Sequence, residues 1–206
     1  AEGENIAPWE ITPGHFQVTL QGYAATEKFH QPQIFVFPAQ GYAEMFPGAA
    51  GSIQSLNEIF ASDTAIPAEG LPTVPYFNAA QIFASNIERI SFQNGQGVRF
   101  LTEYAQYYAP VNNEDLFYHF QGLTSDGAYY IIAILPVGAP GLAETNAPEA
   151  ALPIGGIPYP DMADANADWE GYYNAAVTLL QNTPPQAFTP TLDQLDALIQ
   201  SILISP

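Results

Sequence analysis

The sequence predicts an α+β domain in which an antiparallel sheet built from hairpins is covered by helices. Three observations lead there: two turn pairs, Asn94 with Gly95 and Asp126 with Gly127; an apolar run without a polar member at 131–135; and two stretches of helical spacing that close the chain, 168–182 and 189–204. Glycine supplies the positive φ that tight hairpin turns demand. A strand with no polar member must be covered on both faces, so helices or a second layer are expected above and below the sheet. At 206 residues the chain is read as a single domain, 1–206.

Along the chain, "HFQVTL" (15–20) alternates Phe16, Val18 and Leu20 with polar partners and predicts a half-buried strand. "PQIFVFPA" (32–39) is a short apolar strand ended by Pro38. "GSIQSLNEIFAS" (51–62) sets Ile53, Leu56, Ile59 and Phe60 on one helical face behind Ser52 as N-cap. "PAEGLPTVPYFN" (67–78) carries Pro67, Pro72 and Pro75 and reads as an extended connection, with Asn78 capping a short helix through Phe83.

In the first hairpin, a loop of Asn94, Gly95 and Gln96 places Phe92 opposite Val98 and Ile90 opposite Phe100 on one apolar face. The other face then carries Arg89, Ser91, Arg99, Leu101 and Glu103, with both arginines on the same side. The second hairpin joins 116–121 to 128–137. The Pro/Gly/Ala-rich stretch 138–160 is expected to be a long surface loop. The helix at 168–182 has Asp168 as N-cap, an apolar face through Tyr172, Ala176, Leu179 and Leu180, and a stop at Pro184 and Pro185. The last helix is read with Thr189 as N-cap, Pro190 at its first position and Leu192, Leu195, Leu198, Ile199 and Ile202 turned inward.

Charge narrows the function classes. With 21 Asp plus Glu against 3 Lys plus Arg, the net charge of −18 repels phosphate backbones and anionic lipid, so nucleic acid is not an expected partner. Cations or neutral ligands fit better. There is no cysteine, which removes disulfides, thiolate nucleophiles and Cys-held metals. No stretch reaches the roughly 20 apolar residues of a membrane span, and the start has no cationic, apolar leader. The Ala1 start suggests a trimmed or mature form. Few lysines and the acidic balance lead to an expectation of an exported bacterial protein, extracellular or at the cell surface, with a lipid anchor on the full-length precursor left open.

A basic residue on a hairpin strand, then "LFYHFQGLTSDGAYYIIAILPV", then "FTPTLDQLDALIQSILI" resembles the back half of the Mog1/PsbP-like fold, over residues 85–206. The resemblance is one of pattern. It implies an antiparallel sheet sandwiched by helices in a non-catalytic binding or assembly protein, and carries over no functional residue. The whole chain is also similar to exported, lipoprotein-type proteins of Chloroflexi-like bacteria.

Catalytic motifs are missing: there is no G-x-S-x-G, H-E-x-x-H, P-loop or strand-borne G-x-G-x-x-G. His15, His30 and His119 are isolated. No catalytic residue is assigned, although a triad assembled by geometry leaves no sequence trace. Arg99 has two readings. It pairs with a carboxylate such as Glu103, Glu114 or Asp115, or it holds an anionic ligand between Tyr104, Tyr107 and Tyr118. The acidic stretch "DMADANADWE" offers Asp161, Asp164, Asn166, Asp168 and Glu170 as oxygen ligands at EF-hand-like spacing. Trp169 stands where that loop needs glycine, and Ala175 where it needs the bidentate Glu. The function expected is therefore a non-enzymatic exported domain that binds a protein partner or small ligand without a cofactor. Calcium-dependent surface binding through 161–170 is the alternative, and a hydrolase with an unrecognised active site the third reading.

Overall fold

In chain order the elements are β1 (Phe16–Thr19), β2 (Gln33–Pro38), α1 (Ala39–Met45), α2 (Pro47–Phe60), β3 (Ala80–Phe92), β4 (Gly95–Ala105), β5 (Phe117–Thr124), β6 (Tyr129–Pro136), α3 (Trp169–Asn182) and α4 (Leu192–Gln200). They are seen in a computed structural model that describes residues 11–25, 27–73, 77–147, 149–161 and 163–205. Among these residues six strands form one antiparallel sheet in the order β1-β2-β6-β5-β4-β3. The architecture is α+β, a hairpin-built antiparallel sheet with helices on it. No helix among the described residues is long and apolar enough to cross a membrane.

β5 and β6 lie at the centre, and their burial follows from that position: every residue of β5 is buried, as are Tyr130 to Pro136 of β6. Alternate side chains of these strands supply two cores. Leu101, Tyr118, Phe120, Ile131 and Ala133 pack with Tyr172, Ala176 and Leu180 of α3 and Leu195 and Ile199 of α4. Phe100, Phe117, Ile132 and Ile134 pack on the other face with Tyr42 of α1 and Leu56 of α2. Each fully buried leucine, such as Leu56 or Leu101, contributes about 1.5–3 kcal/mol relative to exposure. At the turn between β5 and β6, Gly127 takes φ +69° as expected.

The first hairpin differs from its sequence reading. Phe92 pairs with Gly95, Ile90 with Gly97 and Glu88 with Arg99, so the loop is Gln93 and Asn94. The three-residue difference in register is odd, and it exchanges the faces. Arg99 lies on the α3/α4 face with Leu101, whereas Arg89, opposite Val98, lies on the α1/α2 face. The reason is packing rather than turn geometry. A Cβ on Gly95 would strike the Phe92 ring, and one on Gly97 the Phe120 ring, so these glycines make room for aromatic rings that cover them.

Four other expectations are corrected. β1 is an edge strand, with Phe16 74% and Val18 50% exposed rather than half-buried, because α3 and α4 lie over β3 at the far end of the sheet. Ser52 sits inside α2, where its hydroxyl donates to Thr73 O at 2.7 Å; the helix starts earlier, at Pro47, whose missing N–H costs nothing at a first position. No helix follows Asn78: β3 begins at Ala80, held by pairing with β4. Thr191, not Thr189, caps α4 through a capping box with Gln194, while Thr189 bridges to Gly138. Pro75, in the extended connection, lies outside the described residues.

Candidate functional site

The sequence-derived ligand residues do not converge. Arg99, 5% exposed, donates to Asn86 O and Glu88 Oε2, and its Nε lies 3.3 Å from Asp196 Oδ1 on α4. Tyr118 donates to the same Oδ1 at 2.8 Å. Tyr104 is on the opposite face of the sheet, its ring packed edge-on to Phe77 and stacked with Phe117. Tyr107 is exposed beyond the end of β4. The guanidinium is paired with carboxylates, and those carboxylates are Glu88 and Asp196 instead of Glu103, Glu114 or Asp115.

The two remaining cations are engaged as well. Arg89 donates to the carbonyls of Ile59 (2.9 Å), Ser62 (2.6 Å) and Thr64 (3.0 Å), satisfying the C-terminal end of α2 and its following turn. Lys28 donates to Asn113 O; burial lowers its ammonium pKa, against the opposing pull of Glu144 and Glu114.

The acidic stretch turns its oxygens to its own backbone. Asp161 Oδ1 accepts from Ala163 N (2.9 Å), Asp164 Oδ1 from Asn166 N (2.9 Å) and Asp168 Oδ1 from Gly171 N (2.8 Å). Asp168 is the N-cap of α3, as expected. Asn166 and Glu170 are exposed. Among the described residues no three His, Asp or Glu side chains group as a cation centre.

Asp164, Asn166, Asp168 and Glu170, without Asp161, form one lip of a groove of about 1460 Å³. A second wall is the start of β3, residues 80–84. A third is the segment after β4, with Tyr107 and Tyr108, and the fourth is the first half of α3. Tyr108 stacks on Trp169 with ring centres 5.6 Å apart at 15°, and Trp169 packs on Tyr173 at 5.8 Å. The wall is held in place from behind. Tyr173 OH accepts from Ala109 N and donates to Ala109 O, both at 3.1 Å, and Tyr172 OH accepts from Val111 N at 2.9 Å. Burial pushes the Tyr173 phenol up to about 12, so it stays neutral at ordinary pH.

Charge in the groove has one sign. Asp164, Asp168 and Glu170 line it, and no Lys, Arg or His does so among the described residues. The N-terminus of α3 opposes them with about half a positive charge, which three carboxylates outweigh.

Two buried polar groups support the surrounding structure. His119 donates from Nδ1 to Ala133 O (3.1 Å), leaving Nε2 to accept from Gln121 Nε2 (2.6 Å). Gln121 also donates to Pro72 O (3.2 Å) and accepts from Tyr130 OH, which ties the 67–73 connection to the sheet. Burial pulls the His119 imidazole down to about 3. Glu103, 2% exposed, accepts from Asn112 N at 2.9 Å and is held well above its ordinary value by burial.

Comparison of the chain with protein-family models, curated proteins and solved structures returns no match. The aromatic wall escaped sequence reasoning because Tyr108, Trp169 and Tyr173 are brought together by α3 docking on β3. The available signal was the concentration of "YY" pairs at 107–108 and 172–173 beside Trp169.

Proposed function

We propose that this chain is a non-enzymatic binding domain of the cell exterior whose groove receives a cationic group. One observation carries the reading: stacked Tyr108 and Trp169 share a groove with Asp164, Asp168 and Glu170 and with no competing cation. A cation over aromatic faces gains about 0.5–2 kcal/mol from the ring quadrupole, and carboxylates at the rim add attraction that salt screens. The acidic, lysine-poor composition supports export. Helices on both faces of an antiparallel sheet, with two helices closing the chain, support a Mog1/PsbP-like sandwich.

The test is fluorescence of Trp169 in a Trp9→Phe background, titrated with choline and with its uncharged carbon isostere. The expected result is millimolar quenching by choline, weakened by salt and lost in Trp169→Leu as judged by chemical-shift mapping. Equal response to the isostere, or no response to either, overturns the reading.

A further inference from the structure

We infer that the natural occupant of this groove is an extended basic peptide, added to the sheet as a strand along the outer edge of β3; the inference rests on the cationic-groove reading above. Five consecutive residues, 80–84, line the groove. Alternate side chains of a strand point to opposite faces, so a cavity that touches five in succession meets the strand edge-on, along its backbone. On that edge β3 has no strand partner among the described residues, since the sheet order ends with it. Five strand residues span about 17 Å, enough for a short extended segment. The volume agrees, exceeding the roughly 300–1,000 Å³ of ordinary small-molecule pockets.

The free edge has a defined end. Ser85 Oγ donates to Val177 O (3.3 Å) and Asn86 Nδ2 to Leu180 O (3.4 Å), so α3 closes on β3 immediately after residue 84. Asn86, at φ +50°, lies within the register shift between Ser85 and Glu88 that turns the strand away. A second register shift, between Gln81 and Phe83, twists the edge and disfavours long flat neighbours while admitting a short segment.

Charge chooses among occupants. A second copy of this chain carries −18, and its three Lys and Arg side chains are already bound, so it would meet the groove's carboxylates with like charge. A peptide with Lys or Arg at alternate positions turns those side chains toward Trp169 and Glu170 while its backbone pairs with β3. Main-chain bonds then provide affinity and the alternate pockets specificity.

The experiment uses the Trp9→Phe chain and four probes: a blocked peptide of alternating lysine and threonine, the same peptide N-methylated on the backbone nitrogens of one edge, its lysine-to-glutamate analogue, and lysine amide. Fluorescence gives affinity, and amide hydrogen exchange reports residues 80–84. The expected result is that the first peptide binds about tenfold or more tighter than lysine amide and slows exchange at 80–84. Methylation returns affinity to the lysine-amide level, the glutamate analogue does not bind, and Glu170→Lys weakens the first peptide. If the methylated peptide binds as tightly as the parent, or exchange at 80–84 is unchanged while lysine amide still binds, strand addition is wrong and the cationic groove stands. If neither lysine probe binds, both fall.

Discussion

Arg99 Nε and Asp196 Oδ1 stand 3.3 Å apart, joining the middle of β4 to α4 across the covered face of the sheet. The contact lacks the alignment of a hydrogen bond at Nε, yet the same carboxylate is fixed by Tyr118 OH at 2.8 Å and by Arg99 Nη2 at 3.4 Å. Glu88, more than half exposed, adds less because solvent screens it. The final helix is thus tied to the first hairpin by a partly buried polar triad as well as by Leu195 and Ile199.

Arg99→Met should therefore destabilise the fold by about 2–4 kcal/mol, since it strands Asp196 in a largely buried position. Asp196→Asn, which keeps an acceptor for Tyr118, should cost less, and Arg99→Met with Asp196→Leu should recover part of the loss. Urea denaturation of the three variants is the measurement. A single Arg99→Met variant as stable as the parent chain would show that the triad contributes nothing.

Acid should weaken the fold through buried His119 and half-buried His30. Burial pulls His119 to about 3 and His30 to about 4 from an ordinary 6.5. The unfolded chain then takes up protons that the folded chain refuses, so stability falls as pH drops from 6.5 toward 4, by up to about 1.4 kcal/mol per pH unit for each histidine. His119→Gln should reduce that slope by up to one proton's worth, with a fixed cost from the altered bond to Gln121. Identical slopes for parent and variant between pH 6.5 and 4.5 would remove His119 from the account.

At the acidic stretch, Asp168→Ala should cost about 1 kcal/mol as a lost N-cap, and calcium should not restore it. The carboxylates already accept from Ala163, Asn166 and Gly171, so calcium binding is expected no tighter than about 10⁻⁴–10⁻³ M. Calorimetric titration decides: micromolar binding abolished by Asp164→Ala with Asp168→Ala would restore the calcium reading.

Signals that act within a few residues were legible in the sequence. The Asp126 and Gly127 turn, the doubly covered run at 131–135 and the Asp168 cap each depend on local φ, period or backbone donors. What failed depended on distant partners. Gly95 reads as a turn residue, but its absent side chain, like that of Gly97, matters because Phe92 and Phe120 lie over these positions. Arg99 has candidate acids nearby in sequence, whereas its partner Asp196 is 97 residues away. Asn78 carried a helix-cap signal that pairing of β3 with β4 overrode. α1 shows little periodicity because only Ala39 and Tyr42 of it are buried. In the sequence the groove falls into pieces, its acids reading as calcium ligands and Tyr107 as a wall beside Arg99, since only α3 against β3 joins them.

Glu103 should make the fold less stable as pH rises, the reverse of the histidines. Its carboxyl is buried beneath the segment that carries Tyr108, and burial first, then the nearby Asp115 charge, holds it well above 4.5. Above pH 4.5 the unfolded chain releases this proton while the folded chain keeps it, so the stabilisation is complete below 4.5 and is lost as pH climbs through the folded value. Glu103→Gln keeps a carbonyl oxygen for Asn112 N–H and removes the titration. The variant should match the parent chain at about pH 4 and exceed it increasingly toward about pH 8. Because Asn112 orders 110–115 through Pro110 O, Asp115 Oδ2 and the Glu114 and Asp115 amides, the same variant should also keep the Tyr108 wall in place at high pH. Urea denaturation of both proteins across this range is the check, and a constant difference at every pH would mean that Glu103 is already ionised in the folded chain.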